Sequence, residues 1–279
     1  MRVRLFHINA AKSSHKYNYL NYYCGLRTFD SGNYKGVFPM SRGYGFATVN
    51  PELWNTWDEN DIRRKGSIWS VWEEAPDPST YQFGAESQME ESGLWQKKIH
   101  SPACYINGKW CYEFTSISDY YGADKDLGRK KATNDFTLLR FADVLLMHAE
   151  LTDGKVIYNG MDGMNAVRAR AKLPQIAYSV DALRLERRHE LAFEAIRWGD
   201  MRRYGKAYCI KALENQLGQK IWNTGNETVM KDQGPGYKAR YEATYGFRPY
   251  PQMEISLSNG VLTQRPGWDS SSALYTSWK

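Results

Sequence analysis

The spacing of hydrophobic and polar positions changes near residue 135 of this chain. Before that point, glycine, tryptophan, tyrosine, serine and asparagine are frequent, and apolar residues do not recur at helical spacing. Prolines and glycines interrupt this part at short intervals, which is typical of turns and loops. We therefore predict long loops, short strands and a few short helices for residues 1–135. Loops this long are uncommon in a compact domain unless they bind something, so we expect this region to face a ligand.

Regular helical periodicity begins at residue 136. Residues 141–152 and 161–172 each carry an apolar stripe at helical spacing, and a short turn containing glycine joins them. Two amphipathic helices joined in this way pack antiparallel, as in one repeat of the tetratricopeptide type. The predicted fold is mainly α: a tetratricopeptide-like helical-repeat superhelix in residues 136–279, with a long irregular loop-rich region and short strands in residues 1–135.

A third helix is predicted in the segment that follows. Ser179 or Asp181 can cap its start, and the sequence Trp198-Gly199-Asp200 is expected to break it. Asp200 is expected to cap a fourth helix that ends near Gly205. The tail after residue 246 is expected to contain no helix, because three prolines interrupt it: Pro249, Pro251 and Pro266.

Charged and apolar residues interleave around the third helix, in the sequence ERRHELAFEAIRWGDMRRYGKA at residues 186–207. A surface helix would keep its charges opposite the apolar stripe, so some of these charges should be partly buried. Buried charges need partners, and nearby arginines can supply them. The predicted structural network consists of Glu186, Arg187, Glu190, Glu194 and Arg197, with Arg188 as a further partner.

The overall composition removes some functional classes. The net charge is +6, but basic residues alternate with acidic ones and form no contiguous stripe, so nucleic-acid binding is not expected. No apolar stretch is long enough to span a bilayer. Aromatic residues make up 14% of the chain, with 10 Trp and 20 Tyr. These rings can fill a core, or they can form a surface that stacks flat ligands.

The aromatic residues of the loop-rich region are the best ligand candidates. An indole ring covers the C–H face of a sugar by dispersion, and a few polar groups nearby can fix the orientation of its hydroxyls. Core packing is the commoner role for any single tryptophan, whereas at least one of the rings at positions 54, 57, 69 and 72 should be exposed. The candidate set is Trp54, Trp57, Trp69, Trp72, Tyr81, Trp95, Asn55 and Asp58.

Other chemistry has weaker support in the sequence. Glu186 and His189 have the spacing of one di-iron ligand pair, but such sites need two pairs, so no metal site and no cofactor are predicted. Asp124 and Asp126 offer too few oxygens for a calcium site.

The cysteines at 104 and 111 flank a predicted hairpin turn, and a disulfide between Cys104 and Cys111 stays open. No catalytic residue is predicted, because carboxylates that are neighbours in sequence do not establish a hydrolytic pair.

Four segments, in a fixed order, resemble the C-terminal half of the SusD/RagB family. Upstream of them, Asp61-Ile62-Arg63 resembles the Asp-x-Arg element of that family, which makes Arg63 a structural residue. Ala195 stands where the family usually has Gly, and Arg265 stands where it usually has Asn. The four segments are LLRFADVLLMHAEL at 138–151, NAVRARAKLP at 165–174, ERRHELAFEAIRWGDMRRYGKA at 186–207 and FRPYPQMEISLSNGVLTQRPGW at 247–268.

The resemblance implies a nutrient-binding lipoprotein of the outer membrane, exposed at the cell surface. Its partners would be an oligosaccharide or similar ligand and a SusC-like TonB-dependent transporter, and it would have no catalytic activity. The lipid-anchored N-terminus and the first half of such proteins have no counterpart in this sequence, so we expect a fragment or a short member. From the residues alone, a cytoplasmic protein, a helical-repeat interaction module and, less favoured, a carbohydrate-active hydrolase stay open.

Overall fold

The computed structural model describes residues 4–8, 23–27, 43–75, 77–99, 104–106, 109–111 and 136–268. This part of the chain is mainly helical with short strands, as predicted. Its helices are α1 (Pro51–Asn55), α2 (Ile62–Ser67), α3 (Val71–Glu74), α4 (Phe141–Leu151), α5 (Gly163–Arg170), α6 (Val180–Glu190), α7 (Arg197–Arg203), α8 (Lys206–Glu214), α9 (Gly236–Thr244) and α10 (Gln252–Leu257).

The strands are short and form small antiparallel sheets. Strand β1 pairs with β7, β2 with β4, β3 with β8, and β5 with β6, while β9 lies beside β8. Their bounds are β1 (Arg4–Ile8), β2 (Ile68–Ser70), β3 (Glu90–Glu91), β4 (Leu94–Gln96), β5 (Cys104–Ile106), β6 (Lys109–Cys111), β7 (Phe136–Arg140), β8 (Lys220–Asn223) and β9 (Asn226–Val229).

The described residues fall into two compact units. The first unit takes them from Met1–Arg197 and Lys220–Thr228, and the second from Trp198–Gln219 and Val229–Lys279. The division that the sequence suggested, into residues 1–135 and 136–279, stays a prediction. Across the described ranges, no helix has the combination of length and apolar character that is needed to cross a membrane.

The helical repeat lies in the first unit, where α4, α5 and α6 pack on one another. Their apolar stripes meet in a core in which Leu146, Met164 and Leu183 are fully buried. Side chains cap two of these helices: Asp162 accepts a hydrogen bond from the backbone of α5, and Ser179 accepts one from α6. These caps satisfy N–H groups that have no partner within the helix, so both helices begin where the sequence indicates.

The loop-rich part of the first unit has its own core. Trp69 of β2 and Trp95 of β4 are direct cross-strand partners, and each is about 1% exposed. Tyr81 packs with them, and its hydroxyl accepts a hydrogen bond from the Trp95 indole at 3.1 Å. Tryptophans that lie close together in this part of the sequence therefore build an interior as well as a surface.

The predicted third helix was too long. Helix α6 ends at Glu190, because Phe193 and Ala195 both adopt a left-handed backbone with φ near 64° and form a turn. The predicted break at residues 198–200 is wrong, since those residues lie inside α7. Asp200 is buried within that helix instead of capping it, and Gly205 precedes α8.

The expectation that the tail contains no helix was also wrong. Helix α10 begins directly after Pro251, which occupies its N-cap position. Proline is compatible with a helix start, because its fixed φ suits the first turn and its missing N–H would have no partner there. The prolines therefore delimit this short helix.

The predicted hairpin around residues 104–111 is confirmed by the backbone. Strands β5 and β6 are antiparallel, and Cys104 is the direct cross-strand partner of Cys111. Asn107 and Gly108, predicted to form the turn, lie outside the described residues. A disulfide between these two cysteines stays open.

Candidate functional site

Three glutamates at the end of α6 and in the turn after it are surrounded by basic side chains from distant segments. We call Glu186, Glu190, Glu194 and the basic residues that pair with them the charge network. Arg63 binds Glu186 at 2.5 Å and Glu190 at 3.0 Å, and Arg140 binds Glu190 at 2.5 Å and Glu194 at 2.6 Å. The remaining ion pairs of the network are Lys98–Glu194, Arg168–Glu186 and Arg170–Glu190.

These partners differ from the ones that the sequence suggested. Arg187 forms an ion pair with Asp143 of α4, and Arg188 forms one with Glu52 of α1. Arg197 begins the next helix. Residues close in sequence point in different directions around a helix, so the arginines of α6 reach other elements while other elements supply the partners of its glutamates.

Opposite charges favour the ionised forms of Glu190 and Arg63 in the folded protein. Burial alone would raise the pKa of Glu190, but Arg140, Arg170 and Arg63 outweigh burial and lower that pKa. Burial would likewise lower the pKa of Arg63, whereas its hydrogen bonds to Asp61 and Glu186 raise it. Each charge is therefore held by opposite charges, which is the condition for keeping ions inside a protein.

His189 lies beside this network and is neutral. Its ring stacks on Trp57 with 4.6 Å between the ring centroids, and its Nε2 lies 3.3 Å from the Thr56 hydroxyl. Burial, together with the positive charges of Arg63 and Arg188, lowers the pKa of His189 to about 3. The Glu186–His189 pair thus packs against protein groups, and the described residues contain no cluster suited to a metal ion.

The predicted ligand residues occupy different environments. Five of their rings are buried. The core around β2 and β4 contains Trp69, Tyr81 and Trp95, and a second buried cluster contains Trp54 and Trp57. Trp72 is 50% exposed, and Asn55 and Asp58 are exposed near α1. The role of this set in binding stays a prediction, but Trp72 is the ring in it that presents a broad surface to solvent. Asp124 and Asp126 lie outside the described residues.

Trp72 belongs to a group of three neighbouring rings that we call the Trp72 platform: Trp72, Phe83 and Trp222. The ring of Phe83 stacks on Trp222, with 3.9 Å between centroids and 15° between planes. Trp72 lies 5.6 Å from Phe83 and 5.5 Å from Trp222. The three rings come from α3, from the loop before β3 and from β8, so the platform is a product of tertiary packing.

Glycines allow the backbone segments of the platform to approach closely. A Cβ on Gly84 would lie 2.1 Å from the backbone nitrogen of Gly225, and both residues have positive φ. Gly93 similarly leaves room for the Trp72 ring, whose atoms would lie about 3.2 Å from a Cβ there. The contact between residues 84 and 225 helps to place Phe83 beside Trp222, because Gly84 directly follows Phe83 and Gly225 lies three residues after Trp222.

A buried carboxylate supports the platform from beneath. Glu91 is 1% exposed, accepts a hydrogen bond from the backbone N–H of Gly84 at 2.6 Å, and accepts another from the Tyr81 hydroxyl. Burial raises the pKa of Glu91, although both hydrogen bonds oppose that shift. The Tyr81 ring also packs against Phe83 in an edge-to-face arrangement, with 4.7 Å between the ring centroids. The residues on both sides of Phe83 are therefore held by hydrogen bonds to the same carboxylate, from Tyr81 and from Gly84.

An exposed indole beside two further rings can stack against the apolar face of a sugar. Exposed polar residues next to the rings in sequence, Gln82 and Asn223, can supply hydrogen bonds at the edge. Sequence reasoning missed Phe83 and Trp222. Phe83 lies in the region predicted to bind, whereas Trp222 gave no local signal, because it comes from a strand far along the chain.

Comparison with known proteins places the chain in a family. The SusD family model matches residues 27–268, which confirms the resemblance drawn from the four sequence segments. A comparison with curated proteins gave no match.

Several solved structures share the fold. Surface glycan-binding protein A from Bacteroides thetaiotaomicron, in complex with laminarihexaose, is 20% identical with a TM-score of 0.62, over 94% of this chain and 52% of that chain. Surface glycan-binding protein A from Bacteroides fluxus is 19% identical with a TM-score of 0.59, over 95% and 50%. A laminarin binding SusD-like protein is 21% identical with a TM-score of 0.61, over 95% and 50%. The chain spans about half the length of these structures, and it belongs to the SusD family.

Proposed function

We propose that this chain binds an oligosaccharide at the Trp72 platform and takes part in nutrient capture at the cell surface. The observation that carries the proposal is the half-exposed Trp72 ring, held next to Phe83 and Trp222. A sugar lying on this surface exchanges water for contact with indole carbons, which favours binding without a deep cavity. Affinity should be modest, because the contact area is small and most of the binding free energy comes from a few rings.

The related structures support an oligosaccharide as the ligand class. One of them is a complex with laminarihexaose, and another is named as laminarin binding. Because this chain spans half of their length, the identity of its own glycan is part of the proposal. Laminarihexaose is therefore the first ligand to test within a panel of neutral oligosaccharides.

We also propose that the protein binds its glycan without cleaving it. The carboxylates that directly follow Trp72 are already engaged: Glu73 pairs with Arg64 and Lys65, and Glu74 pairs with Lys97. Glycoside hydrolysis needs one carboxyl group that can donate a proton and a second one across the bond. Both carboxylates beside Trp72 would have to leave their ion pairs before either could act on a bound sugar.

Titration of the glycan panel into the full chain tests the binding proposal. Calorimetry should give saturable binding of at least one neutral oligosaccharide, and Trp72→Ala should weaken it at least about tenfold, the effect of losing a stacking contact of about 1.5 kcal/mol. Phe141→Ala is the matched control, because Phe141 is also about half exposed, at 47%, but lies on α4. Equal affinity of wild type and Trp72→Ala for every glycan that binds would remove the platform from the proposal.

The remaining parts of the proposal concern location and partner. We propose that the whole protein is lipid-anchored at the outer membrane and delivers its glycan to a SusC-like TonB-dependent transporter. Purification of the affinity-tagged protein from its native membranes, followed by mass spectrometry, should recover a transporter barrel in near-equal amount. Recovery of the tagged protein in the soluble fraction without a barrel would contradict this part while leaving the glycan experiment unaffected.

A further inference from the structure

A second candidate site lies within the second unit. Residues of α7, α9 and the tail enclose an open cavity of about 420 Å³, a size that suits a small organic molecule. Rings form much of its wall, from Trp198, Tyr237, Tyr241 and Trp268. The Trp198 indole is 41% exposed, so it offers a surface on which a ligand ring can lie.

The lining of this cavity has an unbalanced charge. It contains Arg240 and Arg248 and no Asp or Glu. Asp232 pairs with Arg240 at 3.3 Å and balances that charge. Arg248 is exposed at the rim and, among the described residues, has no hydrogen bond or ion pair. Its guanidinium is therefore available to a ligand.

Two further arginines stack on one of the lining rings. The guanidinium carbons of Arg202 and Arg265 lie 4.1 Å and 4.4 Å from the ring centroid of Phe247, which lines the cavity. Within the described ranges neither arginine forms an ion pair with a carboxylate, and the Nε of Arg202 is buried without a hydrogen-bond partner. Unbalanced positive charges around a partly enclosed hollow raise its affinity for anions.

We propose that this cavity binds a six-membered ring that carries a carboxylate, and that this site is separate from the Trp72 platform. The ring would lie against Trp198, and the carboxylate would accept a forked pair of hydrogen bonds from Arg248. Two sources share this chemistry: a uronic acid unit of an acidic oligosaccharide and a free aromatic carboxylate. A neutral sugar would leave the arginines without a counter-charge and would bind more weakly.

The test uses the full chain and two probes that differ in the carboxylate. Calorimetry should show that methyl glucuronide binds at least about tenfold more tightly than methyl glucoside, the effect expected of charge-assisted hydrogen bonds. Benzoate is the third probe, and whichever of benzoate and glucuronide binds more tightly identifies the source of the carboxylate. Equal affinity for the glucuronide and the glucoside, or no binding of either carboxylate, would overturn the proposal.

A pair of arginine variants locates the site. Arg248→Gln removes the rim guanidinium without breaking any hydrogen bond or ion pair among the described residues, and it should lower the affinity for the carboxylate about tenfold. Arg203→Gln is the matched control, because Arg203 pairs with Asp200 and does not line the cavity. An equal loss in both variants would indicate general charge attraction and contradict the site. Since the probes and variants differ from those of the neutral-glycan experiment, either proposal can fail alone.

Discussion

Within the first unit, the charge network buries charged side chains, whereas the Trp72 platform exposes an apolar ring. Each buried glutamate of the network forms several ion pairs. Glu190, for example, pairs with Arg63, Arg140 and Arg170. The platform keeps an apolar ring in water, and it is held by backbone contacts between glycines and by the buried Glu91. The buried ions therefore depend on one another for partners, whereas the exposed apolar ring is a candidate for function.

The strongest way to test the structural role of the network is to remove one shared cation. Arg140→Met leaves the buried Glu190 and the partly buried Glu194 with fewer partners, so the free energy of unfolding should fall by about 3–5 kcal/mol. Lys155→Met is the control, because its pair with Asp153 is exposed and should contribute less than about 0.5 kcal/mol. Urea unfolding of both variants measures the difference, and similar losses would show that burial of the network does not matter.

The pH dependence of stability tests the neutral state of His189. Its pKa is about 3 in the folded chain and 6.5 ordinarily, so between these values the unfolded chain binds a proton that the folded chain does not. The free energy of unfolding should therefore fall by about 1.4 kcal/mol for each pH unit below 6.5. Glu190 and Glu194, whose pKa values are lowered, add to the loss only at more acidic pH.

Urea unfolding between about pH 6.5 and pH 5 follows the histidine, because ordinary carboxylates stay ionised there. Glu91, whose pKa is raised by burial, would change the stability in the opposite direction. In His189→Gln this slope should disappear, although the variant is less stable at neutral pH. The same slope in wild type and variant would assign the pH dependence to other groups.

A substitution at the glycine contact tests what holds the platform. Gly84→Ala puts a Cβ 2.1 Å from the backbone of Gly225 at a φ of +77°, so it should lower the free energy of unfolding by about 2 kcal/mol and weaken glycan binding. Gly66→Ala is the matched control, because no atom lies within 4 Å of its Cβ position in α2. That control should be neutral or stabilising by up to about 1 kcal/mol. Equal effects would show that the close approach of residues 84 and 225 is unimportant.

The smallest expected effect on stability is that of Trp72→Ala. Because about half of this side chain is already in water, its removal should cost only about 1–2 kcal/mol. Trp69→Ala, three residues earlier and fully buried, should cost about 3–5 kcal/mol. Urea unfolding of this pair compares a surface ring with a core ring, and a large cost at Trp72 would make that ring structural.

Local spacing was sufficient to predict α4, α5 and α6, because each carries a stripe of apolar residues and two begin at clear caps. It was insufficient at residues 191–196, where Glu194 continues the four-residue spacing of Glu186 and Glu190 while Phe193 and Ala195 adopt left-handed backbone. That turn is stabilised by Lys98 and Arg140, which lie far away in sequence.

The same distinction applies to the candidate sites. The composition indicated the tryptophans as a group, but only the exposed fraction of each side chain in the folded protein distinguishes Trp72 from the core tryptophans near it. The association of Trp72 with Trp222 depends on how β8 packs against β3, which no local pattern encodes. The cavity of the second unit was not predicted at all, because its rings and arginines come from α7, from α9 and from the tail.

The end of α6 has a consequence for folding kinetics. The backbone carbonyl of Glu190 accepts hydrogen bonds from Lys98 at 2.7 Å and from Arg140 at 2.6 Å. The last carbonyls of a helix need partners from outside it, and here both partners come from segments far away in sequence that must first pack against α6. The final turn of α6 should therefore form after the folding transition state, so that Lys98→Met accelerates unfolding and leaves the refolding rate almost unchanged.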